Sequence, residues 1–233
     1  MVGAATVTGL MAVTAAALVT ALATGLGAIP LAVARRGARS WLARANAVAA
    51  ALMLVASGLL FYEGAVENTT RTLAGAVTGV LAVALAIWWL RGRDSWSFET
   101  LRGTNARTAL IIVGVMTLHS VAEGIGLGVS FGGGDSVGFA TAAAIAVHNI
   151  PEGLAISLVL VPRGVSVPHA AVWSVFSSLP QPLLAVPAFL FVEAFGAALP
   201  IGLGFACGAM IWMVVAEILP ETFRGRREGI AFP

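Results

Sequence analysis

The sequence has few charged residues, no lysine and a single cysteine. Of its 233 residues only 10% are charged, whereas soluble domains carry about 25%. The basic side chains are thirteen arginines, and the formal net charge of +2 gives no indication of nucleic acid as a partner. Because Cys207 has no second cysteine to pair with, it is interpreted as a buried free thiol.

Apolar residues make up 59% of the chain, and the mean hydropathy is +0.95. A membrane-spanning helix needs about 20 mostly apolar residues. The sequence therefore predicts an all-α integral membrane protein, a helical bundle that forms a single transmembrane domain over residues 1–233. The seven predicted spans are residues 3–34, 45–62, 73–90, 108–132, 136–162, 166–192 and 194–218.

The arginines follow alternate spans, so that twelve of the thirteen fall on one side of the membrane and only Arg71 on the other. Since positively charged loops stay in the cytoplasm, the N-terminus is predicted to face outward and the loop 91–107 to be cytoplasmic. The opposite side has a mildly acidic surface, for which ordinary solvated helix ends are the simpler interpretation. Its carboxylates are Glu63, Glu67, Asp135 and Glu193.

Only two of the eleven acidic residues, Glu123 and Glu152, fall in the middle of a predicted span. Each follows a histidine by four positions, His119 and His148 respectively, and each precedes a glycine. The segments HSVAEG and HNIPEG form a repeat that is inverted in topology, because consecutive spans cross the bilayer in opposite directions. Inverted repeats that meet at mid-depth are typical of transporter sites.

The His/Glu spacing has a physical reason. Four residues advance about 6 Å along a helix and return to nearly the same face. Two such helices can surround one divalent cation, which offsets the cost of a buried carboxylate, at least about 2.5–3.5 kcal/mol. A purely structural His–Glu hydrogen bond is the alternative for either pair alone. His169 has no carboxylate near it in the sequence and is not interpreted as a ligand.

Glycine and proline also cluster around these segments. Gly124 and Gly128 form a small-xxx-small pair, which predicts close helix packing. Pro151 is predicted to open the backbone of the second motif, and Pro180 and Pro182 to interrupt the sixth span.

The segments ATGLGAIPL, AAALMLVAS, HNIPEG and GFACGAMIWMVVAEILPET resemble, in order, those of the ZIP (Zrt/Irt-like) family of divalent metal transporters, particularly its bacterial members. The resemblance implies eight helices and import of Zn²⁺, with Fe²⁺, Mn²⁺ or Cd²⁺ as alternatives, by alternating access. It further implies a multi-pass protein of the bacterial cytoplasmic membrane without enzymatic activity, and leaves a homodimer open. The sequence stops at Pro233, before an eighth predicted span, so that either it is part of a longer chain or this member works with seven spans.

The resemblance also assigns ligands by position. The first metal is expected to be held by His119, Glu123, His148, Glu152 and the thioether of Met53. A second metal would share Glu123 and Glu152, with Ser120, Asn149 and Gln181 around it. The family often has asparagine at position 120 and glutamate at position 181, so the neutral residues here predict a weak or empty second site.

Two other functions share this ligand chemistry. An intramembrane metallohydrolase would also place His and carboxylate ligands on helices, but the H-E-x-x-H pattern is absent from the sequence. A metal sensor would bind the ion without transporting it.

Overall fold

The computed structural model describes residues 4–33, 38–91 and 106–220, and this part of the chain contains helices and no strands. The eight α-helices are α1 (Ala4–Leu26), α2 (Ile29–Val33), α3 (Ala38–Arg91), α4 (Ala106–Gly132), α5 (Asp135–Leu160), α6 (Val167–Ser177), α7 (Pro180–Ala194) and α8 (Leu199–Met213). A π-helical turn, Val214–Ile218, continues α8. The prediction of an all-α membrane protein is confirmed.

Long apolar helices account for the predicted spans. Five helical segments within the described residues are long and apolar enough to cross a membrane: Thr6–Val33, Arg44–Trp88, Asp135–Arg163, Val167–Ala194 and Gly196–Ala216. At 27 residues, α4 is about 40 Å long and also exceeds the bilayer core of about 30 Å. Most of the predicted loop 91–107, and residues 221–233 at the chain's end, lie outside the described residues.

The 54-residue α3 supplies two spans because it bends sharply at Asn68, where φ is −160° and ψ is 97°. In a straight helix, residues 64 and 72 would lie about 12 Å apart along the axis. Here, a Cβ placed on Gly64 would lie 2.7 Å from the hydroxyl oxygen of Thr72. The second half of α3 therefore folds back beside the first, as two spans at 45–62 and 73–90 require.

Glycines let the second half of α3 contact α8 backbone to backbone. A Cβ on Gly75 or Gly79 would collide with the carbonyl oxygens of Ile201 or Phe205. Reciprocally, a Cβ on Gly204 would collide with the carbonyl oxygen of Thr72, and Gly208 meets Ala76 in the same way. Two glycine pairs, each spaced by four residues, thus face one another across this helix contact.

The predicted small-xxx-small pair on α4 packs against α7. A Cβ on Gly124 would lie 2.8 Å from the Cα of Gln181, and one on Gly128 would strike the carbonyl oxygen of Ala185. The sixth span is interrupted as predicted, since α6 ends at Ser177 and α7 begins at Pro180.

The predicted opening at Pro151 is wrong, because α5 runs as one helix from Asp135 to Leu160. Proline removes only one amide donor from the helix. On either side of it, α5 packs tightly on the end of α1: Gly153 meets the carbonyl of Thr24, and Gly27 meets the carbonyl of Ile150. This packing supports the helix where the proline weakens it.

The bend at Asn68, the α4–α5 turn and the α7–α8 connection lie at one end of the bundle. Arg71 donates from Nη1 to the carbonyl oxygen of Ala197 at 3.2 Å, and a Cβ on Gly133 would lie 3.5 Å from Cγ of Glu63. The four carboxylates of the predicted acidic surface are at this end, beside these connections. The chain passes Arg163 at the other end, after α5.

Candidate metal centre

The two histidines of the repeated motif meet between α4 and α5. A tight turn at Gly133 and Gly134 makes these helices an antiparallel hairpin. His119 lies fourteen residues before Gly133, and His148 lies fourteen residues after Gly134, so both sit at the same depth. Their Nε2 atoms are 3.2 Å apart, and the ring centroids are separated by 5.3 Å.

Glu123 completes a group of three candidate ligands. Its Oε1 is 3.7 Å from His119 Nε2 and 3.8 Å from His148 Nε2. One ligand atom from each residue lies within 4.8 Å of the others. The side chains of the two histidines are 7% and 6% exposed, and that of Glu123 is fully buried.

These distances fit a single small cation. Two imidazole nitrogens bound to one tetrahedral Zn²⁺ at 2.0–2.1 Å lie about 3.4 Å apart. The observed Nε2–Nε2 separation of 3.2 Å is close to that value. The two distances to Glu123 Oε1 would have to shorten by about 0.4 Å for the same tetrahedron. Imidazole and carboxylate donors suit Zn²⁺ and also Fe²⁺ or Mn²⁺.

Glu152, the fourth member of the predicted tetrad, is buried but is not part of this group of three. The register of the hairpin explains why. Glu123 lies one helical turn nearer the Gly133–Gly134 turn than the histidines, whereas Glu152 lies one turn farther from it. Along ideal helices the Cα atoms of the two glutamates would differ in depth by about 12 Å, with those of the histidines between them.

Met53 lies in the first half of α3 and is fully buried. It belongs to the largest hydrophobic cluster, together with Ala144 of α5 and Met210 of α8. Its role as a ligand stays a prediction.

Two of the residues predicted for a second metal are linked to Glu123 by hydrogen bonds. Gln181 donates from Nε2 to Glu123 Oε2 at 2.7 Å, and Asn149 donates from Nδ2 to Gln181 Oε1 at 3.1 Å. Ser120 is fully buried, and its hydroxyl has no hydrogen-bond partner within the described ranges. His169 is not part of this arrangement. Its Nδ1 is 2.7 Å from the hydroxyl of Ser166, at the exposed start of α6.

Sequence reasoning missed one participant, Thr20 of α1. Its carbonyl oxygen accepts a 2.7 Å hydrogen bond from Asn149 Nδ2. No sequence signal identifies such a group, because every residue has a carbonyl. Nearby, the hydroxyls of Thr24 and Ser178 lie 2.7 Å apart and join the broken ends of α1 and α6. The centre is therefore bordered by buried polar groups from two interrupted spans.

Comparisons with known proteins identify the family of this chain. The family profile described as ZIP zinc transporter matches residues 92–230, more than half of the chain. The chain is 33% identical over 230 residues to the zinc transporter GufA of Myxococcus xanthus, covering 90% of this chain and 88% of that protein.

Two further relatives match over part of their length. A protein of Arabidopsis thaliana with a provisional zinc-transporter name is 48% identical over 213 residues. That alignment covers 89% of this chain but 34% of the plant protein, so the chain spans about a third of its length. The zinc transporter ZIPB of Bordetella bronchiseptica is 33% identical over 122 residues, which is 52% of this chain and 40% of that protein. On the family profile and the near full-length similarity to the Myxococcus protein, this chain belongs to the ZIP zinc transporter family.

Proposed function

We propose that this protein transports divalent metal ions, with zinc as the first candidate, across the membrane into the cytoplasm. The observation that supports this best is the buried group of His119, His148 and Glu123, whose separations suit one small cation. The named relatives are zinc transporters, which favours zinc over iron, manganese and cadmium. The whole chain would act as one transporter domain in a bacterial cytoplasmic membrane, with its N-terminus outside.

The depth order of the ligands suggests a route. Glu123 is on the side of the acidic end of the bundle, the histidine pair is in the middle, and Glu152 is on the side that leads to Arg163. An ion would enter from the acidic end, be held by Glu123 and the histidines, and pass to Glu152 as the helices rearrange. Glu152 then completes the tetrad during passage. Met53 would contribute its thioether from α3.

Zinc-65 uptake into proteoliposomes tests this function. Removal of a ligand that captures the ion should weaken apparent affinity, so Glu123→Ala is expected to raise KM at least about tenfold. Removal of the exit ligand should slow release, so Glu152→Ala is expected to lower the maximal rate more than it changes KM.

The matched control is Glu67→Ala, which removes an exposed carboxylate at the acidic end of the bundle. Its uptake should stay within about twofold of wild type, as expected for a solvated surface charge. Wild-type kinetics in both Glu123→Ala and Glu152→Ala would refute transport through this centre. Zinc-dependent hydrolysis without uptake would instead favour an intramembrane enzyme, and saturable binding without uptake a sensor.

A further inference from the structure

A chain of three hydrogen bonds links the metal centre to the end of α1. Asn149 Nδ2 donates to the carbonyl oxygen of Thr20 at 2.7 Å and to Gln181 Oε1 at 3.1 Å. Gln181 Nε2 in turn donates to Glu123 Oε2 at 2.7 Å. All four residues are fully buried. They come from α1, α5, α7 and α4, so this amide relay connects four helices around one carboxylate.

The direction of the relay is fixed by its two ends. A backbone carbonyl and a carboxylate can only accept hydrogen bonds. Asn149 must therefore turn its NH₂ toward the carbonyl of Thr20, and the same NH₂ also donates to Gln181. Gln181 must meet it with its oxygen, which leaves the Gln181 NH₂ for Glu123. Reversing either amide would bring two acceptors together in a buried site, so only one arrangement satisfies the chain.

As a result, the two carboxylate oxygens of Glu123 have different partners. Oε1 faces the two histidine nitrogens, at 3.7 and 3.8 Å. Oε2 already accepts the short hydrogen bond from Gln181. A second cation that shared Glu123 would need Oε2, because ions in two-metal sites lie about 3.5–4 Å apart and are bridged by such groups. The Gln181 NH₂, with its partial positive charge, occupies that direction.

We propose, resting on the metal transport proposed above, that Gln181 is a positioning residue that makes this a single-ion centre. Through the relay it holds Glu123 so that only Oε1 is presented to the ion. The residues predicted for a second site, Gln181, Asn149 and Ser120, are neutral and add no negative charge to hold a second divalent cation. The centre therefore binds one Zn²⁺ per chain.

Zinc binding to the purified full-length protein tests the proposal in two ways. Wild type is expected to bind one ion at saturation by isothermal titration calorimetry, with the bound metal confirmed by elemental analysis. Gln181→Glu replaces the amide donor with a second carboxylate beside Oε2, so saturation should rise to two ions per chain. Gln181→Ala removes the donor, and the affinity for the single ion should fall about 10- to 100-fold, as for other groups that orient metal ligands.

Cobalt substitution gives a readout that loss of packing alone would not change. With Co²⁺ in place of Zn²⁺, release of Glu123 Oε2 in Gln181→Ala allows bidentate binding and higher coordination, which weakens the visible absorption bands. The control is Thr141→Ala, which truncates a buried polar side chain of α5 that is not part of the amide relay. It should keep the wild-type stoichiometry, affinity and cobalt spectrum.

The possible failures are distinct. Two zinc ions in wild type, one ion in folded Gln181→Glu, or unchanged affinity and cobalt spectrum in Gln181→Ala would overturn the role of Gln181 while leaving zinc transport intact. Absence of both zinc binding and uptake in wild type would overturn the proposed function itself.

Discussion

At the scale of single residues, Glu123 is the most constrained group in the centre. It is a fully buried carboxylate that faces two imidazoles with one oxygen and an amide donor with the other. Taking an ionised carboxylate out of water costs several kcal/mol unless hydrogen bonds or opposite charge compensate. A divalent cation held by Glu123 and the two histidines would supply that opposite charge.

Loss of one histidine should therefore disable binding. His148→Ala removes a ligand nitrogen, and because even outer groups that orient ligands are worth 10- to 100-fold in affinity, zinc binding should weaken at least about 100-fold. Equilibrium zinc titration of the purified protein measures this. His169→Ala removes an exposed histidine bonded only locally to Ser166 and should bind like wild type. Equal affinity in the two variants would contradict the assignment.

The sequence predicts the histidines and glutamates well, because their spacing of four residues is a local property of a helix. It does not predict what Gln181 does. Gln181 and Glu123 are 58 positions apart and lie on different helices, so their hydrogen bond depends on how α7 packs against α4. Similarly, the separation of Glu152 from the group of three follows from the α4–α5 register, which only the length of the turn fixes.

At the scale of helices, small residues determine which spans approach closely. The sequence predicts close packing at Gly124 and Gly128. It does not predict that α7 is the helix they contact, because a glycine pair does not specify its partner. The boundary between the second and third spans is predicted from charge, whereas the bend itself is a single backbone irregularity at Asn68. At Pro151 the sequence predicts an interruption that does not occur, because packing against α1 supports α5 on both sides of the proline.

The contact between α3 and α8 should be sensitive to any added side chain. Gly204→Val places a Cβ against the carbonyl oxygen of Thr72, and overpacking of this kind costs about 1–3 kcal/mol. The thermal unfolding temperature in detergent should fall by several degrees. The control is Gly58→Ala, because a Cβ at Gly58 meets nothing within 4 Å. A Gly204→Val protein as stable as Gly58→Ala would show that this contact does not hold the helices together.

At the scale of the whole molecule, the two ends of the bundle differ in charge, and the arginine distribution predicts which end faces the cytoplasm. Glu67 is exposed at the acidic end, while Arg163 follows α5 at the other. The wild-type chain has one cysteine, Cys207, and it is buried. The wild-type protein should therefore react little with a thiol reagent, so that labelling reports on the introduced cysteines.

Orientation can be measured with a membrane-impermeant maleimide on intact cells. Glu67→Cys should be labelled from outside, whereas Arg163→Cys should be labelled only after the membrane is permeabilised. Wild type should stay unlabelled in both conditions. The reverse pattern would place the N-terminus in the cytoplasm and make export the direction to test.

The α4–α5 hairpin has a further consequence for how the protein is made. His119 and His148 are 29 positions apart and meet as soon as one helical hairpin has formed, so closing that loop involves little chain entropy. Gln181 belongs to a helix that is synthesised later. A newly inserted hairpin can thus capture a metal ion before the amide relay exists, and the bound ion would then favour docking of α7. Zinc supply during biosynthesis would in this way influence the yield of folded protein as well as its transport activity.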